Sequence, residues 1–250
     1  MTTASGTTPP GTSSERQAAQ WVQRIFTDIA PKYDLINHVL SFNIDRVWRR
    51  ALRNRLAPVL SRPDAKVLDL CCGTGDVMLD LQTVAAAPVM GADFCHQMLV
   101  SAQAKAARAG RRAPLFEADA LQLPIASATL DAISISFGFR NLANYTAGLD
   151  ELHRVLKPGG VLAILEFSHP PGLLMRASYG FYSRVLLPAI GSVLSGSREA
   201  YAYLPDSIGK FPGAEQLRGM MEAAGFTATE FQALTGGVAA LHLGTKSMPG

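Results

Sequence analysis

Val67-Leu-Asp-Leu-Cys-Cys-Gly-Thr-Gly-Asp76 decides the fold. Its first four residues form a short apolar run of the kind that makes a strand buried on both faces, and the run ends at once in a glycine turn. Gly73 and Gly75 flank one small residue, so the backbone there can bend sharply and lie close against a ligand. Asp69 before the turn and Asp76 after it bracket the site with negative charge.

That acidity argues against a pyrophosphate and for a ligand carrying an ammonium group and ribose hydroxyls. The nucleotide alternatives also fail on spacing. A dinucleotide fingerprint starting at Gly73 needs a third glycine where Met78 stands. The phosphate loop G-x-x-x-x-G-K-[ST] does not follow this strand. S-adenosylmethionine, whose sulfonium and ammonium are cationic, fits, and the turn resembles motif I of the class I S-adenosylmethionine-dependent methyltransferases.

Outward from this turn the chain alternates. Strands are predicted over Lys66–Leu70, Val89–Asp93, Leu115–Glu117, Ala132–Phe137 and Val161–Phe167, with helices over Val77–Thr83, His96–Ala109 and Ala147–Val155 between them. Apolar strands alternating with helices imply an α/β, Rossmann-like fold: a mostly parallel seven-stranded sheet with helices on both faces. Lys157-Pro-Gly-Gly160 is expected to turn a helix into the fifth strand. A helix over Ala214–Ala224 ended by Gly225 precedes a hairpin-like pair, Thr227–Ala233 and Ala239–Thr245, that completes the sheet.

Before the first strand, Glu15 to Arg55 reads as helical, with Trp21, Ile25, Phe26 and Ile29 at helical spacing and a break at Pro31. Residues 15–58 therefore form an N-terminal helical cap. Residues 1–14, rich in Thr, Pro, Gly and Ser and without the basic and apolar regions of a signal peptide, are expected to be a disordered tail. Residues 170–205 break the alternation and carry many aromatic and aliphatic side chains, so they are read as an apolar helical lid. All of residues 15–250 make one domain.

Composition bounds the function. The chain has 250 residues, 48% of them hydrophobic, which gives a single domain a substantial core. A net charge of +3 makes no nucleic-acid footprint. Mean hydropathy is +0.14, yet no apolar run reaches the roughly 18 residues of a spanning helix. The three cysteines, Cys71, Cys72 and Cys95, show neither a disulfide framework nor metal-ligand spacing. A cytoplasmic protein is expected, with no metal.

In an open α/β sheet the ligand lies at the carboxyl ends of the strands. Those ends offer Asp69, Gly73, Thr74 and Gly75 from the first strand. The second offers Asp93, an acid at the tip of an apolar strand, placed to accept from ribose hydroxyls or to cap the following helix. Asp119-Ala120 follows the third, and Ser136-Phe137-Gly138 ends the fourth.

Four further segments are similar to the UbiE/COQ5 family of quinone C-methyltransferases. They are Ala30-Pro-Lys-Tyr-Asp-Leu-Ile-Asn37 with Leu40-Ser41 and Trp48-Arg49, Ile135-Ser-Phe-Gly-Phe-Arg-Asn141, Arg154-Val-Leu-Lys-Pro-Gly-Gly160 with Leu165-Glu-Phe-Ser168, and Gly236-Gly-Val-Ala-Ala-Leu-His242. The resemblance runs from about Phe26 to Lys246. It implies S-adenosylmethionine contacts at Thr74, Asp93, Asp119, Ala120 and Ser136. It also implies C-methylation of a prenylated hydroquinone, either demethylmenaquinol or the benzoquinol of the ubiquinone pathway. One departure is Asp45, where the family usually has a histidine; Asp45 is either a structural substitute or a proton acceptor.

Arg140, permanently charged, is the candidate to stabilise a phenolate oxygen, and Asn141 is the candidate to orient the hydroxyl or a water that relays its proton. The competing reading pairs Arg140 with an acid that fixes the loop. Tyr33 is expected either to close over the cofactor or to pack there, and His169 is a weaker candidate base near the substrate. Because such a substrate resides in a bilayer, reversible contact with the inner face of the membrane is expected, with Arg176 and Arg184 placed to meet lipid phosphates. A homodimer, a quinone-synthesis complex and a non-catalytic cofactor-binding subunit of such a complex are left open.

Overall fold

A computed structural model of the protein describes residues 6–30, 33, 43–170, 172 and 198–248. Two helices come first, α1 (Glu15–Ile29) and α2 (Asp45–Leu60). The alternation then runs β1 (Val67–Leu70), α3 (Asp76–Leu81), β2 (Met90–Asp93), α4 (His96–Arg108), β3 (Leu115–Glu117), β4 (Leu130–Ser136), α5 (Tyr145–Val155) and β5 (Leu156–Phe167). Helices α6 (Arg198–Lys210) and α7 (Ala214–Ala223) precede β6 (Phe226–Leu234) and β7 (Ala239–Lys246).

The seven strands lie in the order β3-β2-β1-β4-β5-β7-β6. All neighbours are parallel except that β7 runs antiparallel to both β5 and β6. The strand order reverses between β1 and β4, so their carboxyl ends open a crevice.

Alternation along the strands builds two cores. Leu68 and Leu70, Ile133 and Ile135, and Leu162 and Ile164 project to one face, under Leu149, Leu152 and Val155 of α5 and Leu217 and Met221 of α7. Val67, Ala132, Ala163 and Leu165 project to the other, against Trp48, Leu52, Leu56 and Leu60 of α2. The spacing of four in α2 is what puts those side chains on one helical face. Each fully buried side chain of this size contributes about 1.5–3 kcal/mol.

Two expectations are corrected. The fifth strand does not wait for a turn at Lys157–Gly160: α5 passes directly into β5, Leu156 already pairs with Leu130, and the glycines form an irregularity before Ala132 meets Val161. There Gly159 takes the left-handed φ of +77° that suits a glycine. Residues 6–14, expected in a disordered tail, lie against the body: Thr7 is buried and its N–H donates to Leu142 O at 2.8 Å. Ser14 accepts from the Gln17 N–H as the N-cap of α1.

Residues 171 and 173–197 of the expected lid, with Arg176 and Arg184, lie outside the described residues, as does the 34–42 part of the N-terminal signature. No helix among the described residues is long and apolar enough to cross a membrane.

Candidate active site

The β1 turn is built by backbone conformation. Gly73 has φ +54° and Gly75 has φ +83°, left-handed values at which a β-carbon is strained. A β-carbon on Gly75 would also meet Ala102 of α4 at 3.1 Å, so the turn and that helix pack through the missing side chain. Two non-glycine residues nearby share this conformation, Cys71 at φ +54° and Phe137 at φ +58°. They end β1 and β4, side by side. Strain of this kind persists where surrounding structure over-determines it, commonly at ligand sites. Gly138 allows the two ends to meet, since its β-carbon would fall 2.4 Å from Cys71 Cβ.

A cavity opens over these strand ends, enclosing about 660 Å³ when its solvent-open part is included. Of the residues singled out from sequence, Gly73, Asp93, Asp119, Ser136, Asn141 and Tyr33 line it. Asp93 accepts the Gly73 N–H at 2.8 Å on one oxygen and the Cys95 N–H at 2.9 Å on the other. It is therefore both a clamp on the glycine turn and a support for the start of α4. Burial pushes its carboxyl up to about 6, although those two N–H bonds oppose the shift. Asp119 accepts the Leu121 N–H at 2.9 Å, which rigidifies the loop after β3. The Ser136 hydroxyl is buried with no hydrogen-bond partner among the described residues, a group placed to meet a polar ligand.

The other singled-out residues stand behind the wall. Asp69 accepts the Ser134 hydroxyl at 2.7 Å across paired positions of β1 and β4, and burial raises its carboxyl to about 7. Thr74 is buried and its hydroxyl accepts from Lys105 at 3.1 Å. Asp76 binds Arg49 at 2.8 Å and also Lys105, and these cations outweigh its burial and hold its carboxyl below the usual range. The charge bracketing the turn is thus Asp69 beneath it and Asp93 beside it, while Asp76 is neutralised. Gly75 and Ala120 contribute conformation and packing rather than wall surface.

Arg140 is buried. Its guanidinium pairs with Glu166 of β5 at 3.0 Å, donates to Phe137 O, and lies 5.4 Å above the Phe167 ring. Glu166 also accepts the Arg140 backbone N–H at 3.2 Å. Of the two readings of Arg140, this geometry matches the loop-fixing one, and its neighbour Asn141 is the polar side chain that reaches the cavity. His169, exposed, directs Nε2 at Phe211 O at 3.0 Å and does not line the cavity. Asp45 is buried at the start of α2 and pairs with Arg49 at 2.7 Å, which in turn holds Asp76, so it serves as a structural carboxylate.

Sequence reasoning missed the apolar wall. Phe94 and Met98 follow Asp93, Phe26 and Ala19 come from α1, and Leu121, Leu142 and Ala143 complete it. The available signal was Phe94, a large apolar residue directly after a strand-end acid. The α1 residues carry no such mark, because the helix face that covers a site looks like any other buried face.

An acidic acceptor, an unsatisfied hydroxyl and tight glycine backbone in a largely apolar cavity fit a ribose-bearing cationic ligand. The donor set agrees with S-adenosylmethionine, the cofactor of the methyltransferases to which the chain is similar. A demethylmenaquinone methyltransferase of Deinococcus radiodurans is 44% identical over 238 residues, covering 95% of this chain and 97% of that one. A ubiquinone/menaquinone biosynthesis C-methyltransferase UbiE of Syntrophotalea carbinolica is 42% identical, covering 95% and 99%. Among solved structures, a SAM-dependent methyltransferase of Thermotoga maritima superposes with a TM-score of 0.57 at 17% identity, covering 90% of this chain and 99% of that one. That likeness concerns the fold. The model of the ubiE/COQ5 methyltransferase family matches residues 12–246, and the chain belongs to that family of S-adenosylmethionine-dependent methyltransferases.

Proposed function

We propose that this enzyme methylates a ring carbon of a prenylated hydroquinone, with demethylmenaquinol as its acceptor. The observation that carries the reading is a cavity of mixed lining at the strand ends. Asp93, Gly73 and Ser136 supply polar groups, and Phe26, Tyr33, Leu142 and Ala143 supply apolar surface suited to a lipid-soluble aromatic ring. The name of the Deinococcus relative favours the naphthoquinol. The name of the Syntrophotalea relative keeps the ubiquinone-pathway benzoquinol as a second reading.

The bound cofactor supplies an electrophilic methyl group, so the protein's task is alignment and activation of the acceptor. Alignment alone is worth about 7–11 kcal/mol at best. Asp93 would accept from the ribose hydroxyls, and its bonds to Gly73 and Cys95 hold the carboxylate still. Phe94 and Met98 exclude water beside it. The acceptor carbon gains electron density as its phenol loses a proton, and a phenol with pKa near about 10 needs help to do so at neutral pH. The Asn141 amide is the donor placed to stabilise that oxygen. Arg140 acts one step back, holding the Phe139–Asn141 turn to Glu166. The phenol proton leaves to solvent.

The deciding experiment supplies methyl-labelled S-adenosylmethionine with reduced short-chain naphthoquinol and benzoquinol. Label on the ring carbon of the naphthoquinol is the expected result. Labelling of the benzoquinol alone would move the enzyme to the other pathway. Label on oxygen, or on neither compound, would overturn C-methylation.

A further inference from the structure

Tyr203 of α6 is buried against Trp21 of α1, with ring centroids 4.9 Å apart. Its hydroxyl stands 3.0 Å from Asn141 Oδ1 and 2.7 Å from Thr7 Oγ1. A phenol has one proton to donate. Given to Asn141 Oδ1, it leaves the Tyr203 oxygen to accept from the Thr7 hydroxyl, and three side chains become one directed chain, Thr7 to Tyr203 to Asn141. Burial raises the Tyr203 pKa, which keeps the phenol protonated and able to donate.

Thr7 is itself held in place. Its N–H donates to Leu142 O at 2.8 Å, and a β-carbon on Gly6 would lie only 1.9 Å from Ala143 O. The N-terminal segment therefore lies directly against two residues of the cavity wall, and only a glycine permits that approach.

An amide side chain has two nearly isosteric ends, one a donor and one an acceptor, and rotation by half a turn exchanges them. The difference matters for a phenol that must ionise. An N–H stabilises the phenolate, whereas a carbonyl would hold the proton on the phenol. With Oδ1 engaged by Tyr203, Nδ2 is the end with no hydrogen-bond partner among the described residues, on a side chain that lines the cavity. We propose that Tyr203, braced by Thr7, is a positioning residue that fixes the Asn141 amide with its N–H toward the acceptor oxygen. This inference rests on the reading of Asn141 as the group that contacts the acceptor.

A double-mutant cycle tests it, because residues acting through one another are non-additive. Tyr203→Phe keeps the ring against Trp21 and removes only the hydroxyl. It should lower kcat/KM for the hydroquinone about five- to tenfold, the size of one net hydrogen bond. The S-adenosylmethionine dissociation constant measured by calorimetry should not change. In an Asn141→Ala background the same change should cost nothing further, and Thr7→Val should reproduce a smaller version of the loss. Additive losses in the double variant, or full activity of Tyr203→Phe, would overturn the positioning role while leaving Asn141 in place. A silent Asn141→Ala would instead remove the acceptor-contact reading and this inference with it. Should Tyr203→Phe fail to fold, the cycle runs with Thr7→Val, which retains the phenol, and the same two outcomes decide.

Discussion

Asp93 holds the shape of its own turn, and under the proposed function it also meets the cofactor, so its titration should report on both. Burial lifts its carboxyl from the ordinary 3.8 to about 6. A raised carboxyl pKa means the folded, ligand-free protein takes up a proton more readily than the unfolded chain. Its contribution to stability is therefore full below about 3.8 and lost as pH rises through about 6. A ligand that donates hydrogen bonds prefers the ionised form, so affinity should move the other way. Calorimetry should show S-adenosylmethionine binding tightening from pH 5 to pH 7 and levelling above it. Asp93→Asn should weaken binding about 10–100-fold at pH 7.5 and flatten the profile. A profile unchanged by that substitution would detach Asp93 from the cofactor. Asp93 and Ser136 were legible in the sequence as polar residues at strand ends; spacing also puts Thr74 in the turn, and only the packing of Lys105 shows what its hydroxyl meets.

Between elements, two contacts hold the catalytic edge together, and each predicts a stability effect. The Arg140–Glu166 pair fastens the Phe139–Asn141 turn to β5. Arg140→Ala would leave a carboxylate that is 1% exposed without its counter-charge. A loss of about 3–5 kcal/mol is expected in urea unfolding. Arg140→Met combined with Glu166→Gln should recover most of it. Recovery of stability without recovery of activity would mark the pair as a support for Asn141. The ends of β1 and β4 meet through Gly138, and Gly138→Ala should cost about 1–3 kcal/mol by overpacking. Cys71→Gly should relieve that cost, since Cys71 supplies the clashing Cβ and already has a glycine-like φ. Failure of this rescue would mean that the clash is not with Cys71. Strand and helix positions were readable from apolar periodicity to within one or two residues for most elements. The direct passage of α5 into β5 was not, because Pro and Gly signal a break locally while pairing with Leu130 extends the strand from outside.

Over the whole molecule, ligand binding should appear as stability. At a concentration 100 times its dissociation constant, S-adenosylmethionine should stabilise the protein by about 2.7 kcal/mol. For a domain of this length that is a rise in Tm of about 5–10 °C, read by differential scanning fluorimetry. NAD should give no shift, and an equal shift from NAD would point to a different Rossmann-like chemistry. Reversible contact with a bilayer is the proposal that a lipid-soluble acceptor motivates. Flotation with anionic liposomes should carry a fraction of the protein upward at low salt and lose it at high salt. Absence from the floated layer under both conditions would exclude a stable surface contact.

By itself the sequence determined the sheet, its order of strands and helices, and the glycine turn with its acids, because these depend on residue type and on spacing along the chain. Family membership was legible for the same reason, in the segments around Tyr33, Phe137, Arg154 and Gly236. Only the tertiary structure decided which side chains face the cavity. Arg140 turned to Glu166, Asp45 to Arg49 and His169 to Phe211, while Thr7, distant in the chain and outside every motif, arrived beside Asn141. Partners as far apart as Thr7 and Tyr203, 196 positions, are set by packing and by the need to satisfy buried polar groups, which local sequence does not encode.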